Sequence, residues 1–206
     1  MAMTPAIFLD KDGTVLADVP YNVDPRRMRF APGAAAGLAL LGTLGLPLIV
    51  ISNQPGIALA KFSIDAVGPM RKRLEDMFIE AGARLSGFYF CPHHPRGVYP
   101  AYAKICDCRK PAPGLLHIAA QRMSIDLAAS WLVGDILDDV EAGRRAGCRT
   151  VLIDNGNETE WRGGQWRRPD RVEKDLAGAS RWIVSCLDRG GLQGGPPSLR
   201  TVGAPA

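Results

Sequence analysis

The sequence has no run approaching the roughly 20 apolar residues that a membrane helix needs. Its first residues, Met1-Ala2-Met3-Thr4-Pro5, lack the basic region, apolar core and cleavage site of a signal peptide and lead straight into an apolar strand. A cytoplasmic protein with no membrane partner is therefore expected. There is no large excess of either charge: 25 Lys and Arg stand against 21 Asp and Glu, a formal +4 spread along the chain. That balance gives no reason to expect a nucleic-acid partner. No internal repeat is present. Cysteine is sparse too, at five residues in 206, and in a reducing compartment these do not suggest a disulfide framework.

What the chain does have is alternation. Apolar residues make up 47% of it, enough for one substantial core. Short apolar runs at 6–9, 47–52, 88–91, 131–134 and 150–154 read as strands, nearly continuous in apolar character as strands covered on both faces are. Helical patterns fall between them at 33–44, 70–81, 113–123 and 138–146, the last ending at Gly147, a suitable C-terminal cap. The βαβα order predicts an α/β fold with a doubly wound parallel sheet, whose ligands bind at the carboxyl ends of strands. One domain is expected over 1–189, followed by a Gly/Pro-rich tail over 190–206. The segment 155–170 reads as a loop pinned to the core by Trp161 and Trp166. Grip on nucleic-acid bases by these tryptophans and the arginines among them is the lesser reading.

Two residue patterns carry chemistry. Asp10 ends the first strand and Asp12 lies two residues on, on the same side of an extended chain. Gly13 permits a sharp turn after them, and Thr14 can tie it with its hydroxyl. A carboxylate can attack a phosphoryl group to form an aspartyl-phosphate. A second carboxyl can protonate the departing alkoxide and then take a proton from water. Two anionic groups working on an anionic phosphate require a cation, so Mg2+ is implied.

The second pattern is Cys91-Pro92-His93-His94 followed by Cys106-Asp107-Cys108. A Cys-x-His pair and a Cys-x-Cys pair supply the Cys3His set that suits tetrahedral, structural Zn2+, with His93 or His94 as the nitrogen ligand. The residues between, with Pro95, Gly97 and Pro100, offer little core of their own, so a metal clip over about 91–108 is physically reasonable. Zinc there would also hold Arg109 and Lys110 against the cleft. Cys148 and Cys186 have no such spacing.

These motifs, in order, resemble those of the haloacid dehalogenase (HAD) superfamily over roughly residues 6–155. Asp10-Lys11-Asp12-Gly13-Thr14 resembles its first motif and Ser52-Asn53-Gln54-Pro55-Gly56 its second. Lys110, within Cys108-Arg109-Lys110-Pro111, matches the third, and Gly134-Asp135-Ile136-Leu137-Asp138-Asp139 the fourth. The resemblance implies a HAD-like Rossmannoid fold and phosphatase chemistry. It makes Asp10 the nucleophile, Asp12 the acid/base, and Ser52 and Lys110 the groups that stabilise the phosphoryl. It also places Mg2+ on Asp10, Asp135 and the Asp12 carbonyl.

The cysteine-rich loop narrows the resemblance to the zinc-loop group that contains heptose-bisphosphate and histidinol-phosphate phosphatases. Its length is more similar to the heptose enzymes, and the group's pattern favours His93 as ligand. In that group the stretch matching Asp18, Val19, Pro20 and Tyr21 contacts substrate, as do Asn53, Gln54, Pro55, Arg109 and Lys110. A phosphorylated sugar or similar small substrate is implied, handled by a monomer with a minimal cap, since only 18 residues separate Thr14 from Gly33. One position departs: Ile136 stands where the heptose enzymes carry Lys. The preferred substrate is still a heptose 1,7-bisphosphate cleaved at position 7, with histidinol phosphate or another small sugar phosphate as the alternative. A non-catalytic zinc-bearing binding module is the alternative of another class, and the intact set Asp10, Asp12, Lys110 and Asp135 speaks against it.

Overall fold

The computed structural model describes residues 3–190. Six strands form one parallel sheet: β1 (Ile7–Leu9), β2 (Leu48–Asn53), β3 (Leu85–Cys91), β4 (Trp131–Gly134), β5 (Arg149–Ile153) and β6 (Arg171–Glu173). Their spatial order is β3-β2-β1-β4-β5-β6. Five helices connect and cover them: α1 (Ala34–Gly42), α2 (Val67–Glu80), α3 (Gly114–Met123), α4 (Leu137–Arg145) and α5 (Leu176–Gly190). No helix among the described residues is long and apolar enough to cross a membrane.

Alternate residues of a strand point to opposite faces, and the two apolar layers divide on that rule. Ile7, Leu9, Leu48, Val50, Trp131 and Val133 face one layer, where they meet Leu38 and Leu41 of α1, Leu74 and Phe78 of α2, and Ile183 of α5. Ala6, Phe8, Ile49, Ile51 and Leu132 face the other, against Leu115, Leu116 and Ala119 of α3 and Ala142 of α4. The central strands are buried but for Asn53 at the end of β2, which is why they read as nearly continuous apolar runs.

Edges behave differently. β3 is only partly buried and extends three residues N-terminal of the expected run, because Leu85-Ser86-Gly87 mixes polar and small residues at the sheet margin. β6 and α5 fall outside the expected elements. β6 is three residues with one apolar side chain, too short for a periodicity signal. α5 did carry a signal: Leu176, Ala179 and Ile183 are all fully buried at helical spacing, and Gly178 N donates to Asp175 Oδ1 at 2.8 Å in an N-terminal cap. The helix runs through Gly190; the remainder of the expected tail, 191–206, lies outside the described residues.

The tryptophan reading of loop 155–170 is overturned. Trp161 and Trp166 are 53% and 43% exposed, so neither anchors the loop in the core. Polar contacts anchor it instead. Arg167 pairs with Asp138 and donates from Nε to Glu141 Oε2 at 2.7 Å, while Asp170 accepts from Thr150 N at 2.7 Å.

The winding of the sheet reverses between β1 and β4: the first crossovers run out to β3, and the chain then returns to add the parallel β4 on the far side of β1. The carboxyl ends of β1 and β4 flank this switch point, where open parallel sheets form their crevice.

Candidate active site and metal centres

Asp10 directly follows β1 and keeps that strand's pairing, its N donating to Val133 O at 2.9 Å. The chain then turns sharply, Gly13 N donating to Leu16 O at 2.7 Å and Leu16 N to Lys11 O at 2.8 Å. Gly13 has φ +85, and a Cβ there would lie 1.9 Å from Asp135 Oδ2, so only glycine lets the Asp135 carboxylate sit against this turn. Thr14 does not tie the turn with its hydroxyl; Oγ1 reaches Asp135 Oδ1 at 3.4 Å.

Lys110 is the hub. It is 3% exposed, and its ammonium pairs with Asp10, lies 2.5 Å from Asp139 Oδ1 and donates to Ile51 O at 3.0 Å. Burial alone would favour the neutral amine. The Asp10 and Asp139 charges outweigh it and hold Lys110's pKa above its ordinary value. Asn53 fixes the lysine's backbone in both directions: Nδ2 donates to Lys110 O at 3.1 Å, and Lys110 N donates to Oδ1 at 3.0 Å. Its side chain therefore holds the lysine's backbone in place. Gln54 Nε2 bridges Ser52 Oγ at 2.7 Å and Asp12 Oδ2 at 3.4 Å.

Asp10, Asp135 and Asp139 place carboxylate oxygens within 4.8 Å of one another, all three residues buried. Burial, reinforced by the Asp10 and Asp139 charges, pushes the Asp135 carboxyl up to about 8. Burial likewise pushes Asp139 up to about 7, against the pull of Lys110. Crowded carboxylates whose protons are held so tightly form a donor set that a hard divalent cation fits. From the sequence Asp139 reads as a residue at a helix N-terminus, with a metal-linked role through water as the lesser reading. It does accept from Ile136 N at 3.3 Å, but it turns inward to Lys110, and a Cβ on Gly134 would lie 2.3 Å from its Oδ2. Its neighbour Asp138 turns outward to Arg167.

Asp12 lies at the cleft with its side chain 32% exposed, and Lys11, itself buried, donates to its Oδ1 at 2.6 Å. Burial raises the Asp12 pKa against the opposing Lys11 charge. Further out, Asp18, Pro20 and Tyr21 are exposed and Val19 is half-buried. Lys61 Nζ stands 5.9 Å from the centre of the Tyr21 ring. Pro55 and Arg109 are partly exposed, and one buried terminal nitrogen of Arg109, Nη1, has no hydrogen-bond partner. The loop after β5 also enters the site: Asn157 Nδ2 donates to Asp135 Oδ2 at 2.7 Å and Asn155 Nδ2 to Gly13 O at 2.7 Å. Sequence reasoning missed both asparagines, since an Asn in a Gly-rich loop reads first as a turn residue.

The second centre gathers Cys91, His93, Cys106 and Cys108. Cys108 Sγ lies 3.3 Å from the sulfurs of Cys91 and Cys106 and 3.2 Å from His93 Nδ1, and Cys91 Sγ lies 3.5 Å from that of Cys106. Those separations are far too long for disulfides, whose S–S bond is about 2.05 Å. They approach the edges of a tetrahedron with metal–sulfur distances of about 2.3 Å, so this set can hold a metal ion. His94 stays outside it, its Nδ1 accepting from Arg96 N at 3.1 Å. Cys148 is buried and Cys186 half-buried, both away from the cluster.

This arrangement of carboxylates and a lysine at a sheet's switch point is one that hydrolytic chemistry can use, and the comparisons with known proteins give the class. A HAD-hydrolase-like family model matches residues 107–179. The D-glycero-beta-D-manno-heptose-1,7-bisphosphate 7-phosphatases of Salmonella typhi and Escherichia coli K12 are each 39% identical to the chain over 184 residues. That alignment spans 89% of this chain and 91% and 90% of theirs. The crystal structure of the D,D-heptose 1,7-bisphosphate phosphatase from B. bronchiseptica, complexed with magnesium and phosphate, superimposes with a TM-score of 0.76 at 30% identity, covering 88% of this chain and 99% of that one. The chain belongs to the HAD-like hydrolases, within the family of these heptose-bisphosphate phosphatases.

Proposed function

We propose that the chain is a Mg2+-dependent D-glycero-D-manno-heptose 1,7-bisphosphate 7-phosphatase working through an aspartyl-phosphate on Asp10. The observation that carries this reading is the cluster of Asp10, Asp135 and Asp139 at the cleft, with buried Lys110 paired to Asp10 and Asp139, in a chain 39% identical to enzymes of that name.

Asp10 attacks the phosphorus of the 7-phosphate, and the P–O bond to the sugar breaks as the Asp10–phosphorus bond forms. Asp12 gives its proton to the departing alkoxide, which its raised pKa favours. Asp12 then takes a proton from the water that cleaves the aspartyl-phosphate, releasing phosphate and restoring Asp10. Ser52 and Lys110 stabilise charge on the transferring group. Asp10, Asp135 and the Asp12 carbonyl would hold Mg2+, with Asp139 close behind. When bound, that cation neutralises phosphate charge and so lets a carboxylate approach. Cys91, His93, Cys106 and Cys108 would hold Zn2+ as a closed structural clip that fixes the segment leading to Arg109 and Lys110. Asp18, Val19, Pro20, Tyr21, Asn53, Gln54, Pro55, Arg109 and Lys110 are the proposed substrate contacts. Arg109, with a buried nitrogen left unpaired, is suited to the second phosphate.

The test is phosphate release from a panel of sugar phosphates and histidinol phosphate, with and without Mg2+. The reading predicts Mg2+-dependent turnover, highest on the heptose 1,7-bisphosphate. Higher kcat/KM on histidinol phosphate would overturn the substrate, and full turnover by Asp10→Asn would overturn the mechanism.

A further inference from the structure

The loop after β5 touches the cation site at three points within four residues. Asn155 Nδ2 donates to Gly13 O at 2.7 Å, which holds the turn after the nucleophile. Asn157 Nδ2 donates to Asp135 Oδ2 at 2.7 Å. Glu158 Oε2 accepts from Leu137 N at 2.7 Å, where α4 begins two residues past Asp135. Glu158 Oε1 closes the loop on itself, accepting from Glu160 N at 2.8 Å and Trp161 N at 3.3 Å. Those backbone donors outweigh partial burial and hold the Glu158 carboxyl below its usual range.

We infer that Asn157 is a positioning residue for Asp135, and that Asn155 and Glu158 staple its loop across the two segments the cation must join. The inference rests on the Mg2+ site proposed above. With a cation bound Asp135 is ionised and only accepts hydrogen bonds, so the Asn157 amide then presents its nitrogen. With that NH2 on Oδ2 and the Thr14 hydroxyl 3.4 Å from Oδ1, Asp135 is held from both sides. Its orientation is thus set before a cation arrives, as groups behind a metal ligand commonly set it. The space is also tight: a Cβ on Gly13 would lie 2.5 Å from Asn157 Nδ2, so turn, carboxylate and amide form one packed unit. Ile136, beside Asp135, brings only backbone groups to this network, its N–H donating to Asp139 Oδ2 at 3.3 Å and its carbonyl accepting from Asp139 N at 3.1 Å. The polar support that its side chain cannot offer comes from across the cleft, through Asn157.

The test is Mg2+ titration of the full chain, read as the Mg2+ concentration at half-maximal thermal stabilisation and by calorimetry, on the parent, Asn157→Leu and Arg167→Ala. Leu has the shape of Asn without the donor. Arg167 anchors the same loop to α4 without touching Asp135, so its loss reports on loop attachment alone. The inference predicts that Asn157→Leu weakens Mg2+ binding about 10- to 100-fold, with kcat falling at saturating substrate. Arg167→Ala is predicted to melt earlier with Mg2+ affinity unchanged. An Asn157→Leu protein that binds Mg2+ as the parent does would overturn the inference while leaving the cation site standing. A parent with no Mg2+ response would overturn the site and the inference together.

Discussion

Lys110→Met removes one cation that serves three oxygens. The ammonium pairs with Asp10, stands 2.5 Å from Asp139 Oδ1 and donates to Ile51 O at 3.0 Å, all with 3% of the residue exposed. Taking one partner from a buried ion pair costs about 3–5 kcal/mol, because the other charge stays behind unpaired. For a domain of 150–250 residues each kcal/mol moves Tm by about 2–4 °C, so the variant should melt roughly 6–20 °C below the parent in EDTA. The loss should also depend on pH. Asp139 has its folded pKa raised to about 7 from an ordinary value of 3.8, even with Lys110 beside it. A carboxyl raised in the fold contributes stability below its unfolded pKa and loses it as pH rises through the folded one. In the parent that loss ends near pH 7. Without Lys110 the folded pKa climbs further, and the loss continues above pH 7. The Tm gap should therefore be wider at pH 9 than at pH 6, and kcat should fall about 100- to 1,000-fold as phosphoryl stabilisation is lost. Differential scanning calorimetry at the two pH values checks the first part and single-turnover kinetics the second. Equal melting of parent and variant at pH 9 would refute the hub role given to Lys110.

Four further outcomes follow from the same geometry. In EDTA the protein should lose stability as pH rises from about 4 toward 8, because Asp135, raised to about 8, must give up a proton held in the fold. Added Mg2+ should therefore raise Tm more at pH 8 than at pH 6, which thermal melts check. Gly13→Ala puts a Cβ 1.9 Å from Asp135 Oδ2 at φ +85, and should abolish Mg2+ stabilisation and turnover in the same assays. Metal analysis should find one zinc per chain, and none in Cys108→Ser, whose Tm should fall below the parent's because the closed ligand set is broken. Burial pushes the Cys148 thiol up to about 12, so alkylation at pH 8 should spare it in the folded protein and label it after unfolding, as peptide mass spectrometry would show.

The readable parts of this fold are those where one force dominates. β1, β2 and β4 are buried on both faces, so their sequences are nearly continuous apolar runs and their places could be read directly. β6 escaped because three edge residues carry no period, whereas α5 was missed although its apolar stripe of Leu176, Ala179 and Ile183 stood at helical spacing. In the site, residues that need a particular chemistry at a particular spacing stand out: the Asp10/Asp12 pair and the Cys3His set are legible because few other patterns would place them so. Residues that work by reaching across the chain are not. Asn157 lies 22 positions from Asp135, and no local pattern joins them. Asn53 was visible as part of a motif, but its grip on the Lys110 backbone, 57 positions away, exists only once β2 and the cysteine loop meet. The tryptophans misled for the opposite reason. Large aromatic rings in a loop usually find a core, yet here Arg167 and Asp170 do the anchoring and leave Trp161 and Trp166 at the surface.

The central claim is covalent: Asp10 receives the phosphoryl group. Rapid acid quench of enzyme with Mg2+ and the heptose 1,7-bisphosphate, followed by borohydride reduction and peptide mass spectrometry, tests it most directly. The account predicts homoserine at position 10, formed only with substrate and absent from Asp10→Asn. Reduction product at another carboxylate, or none while phosphate is being released, would contradict it.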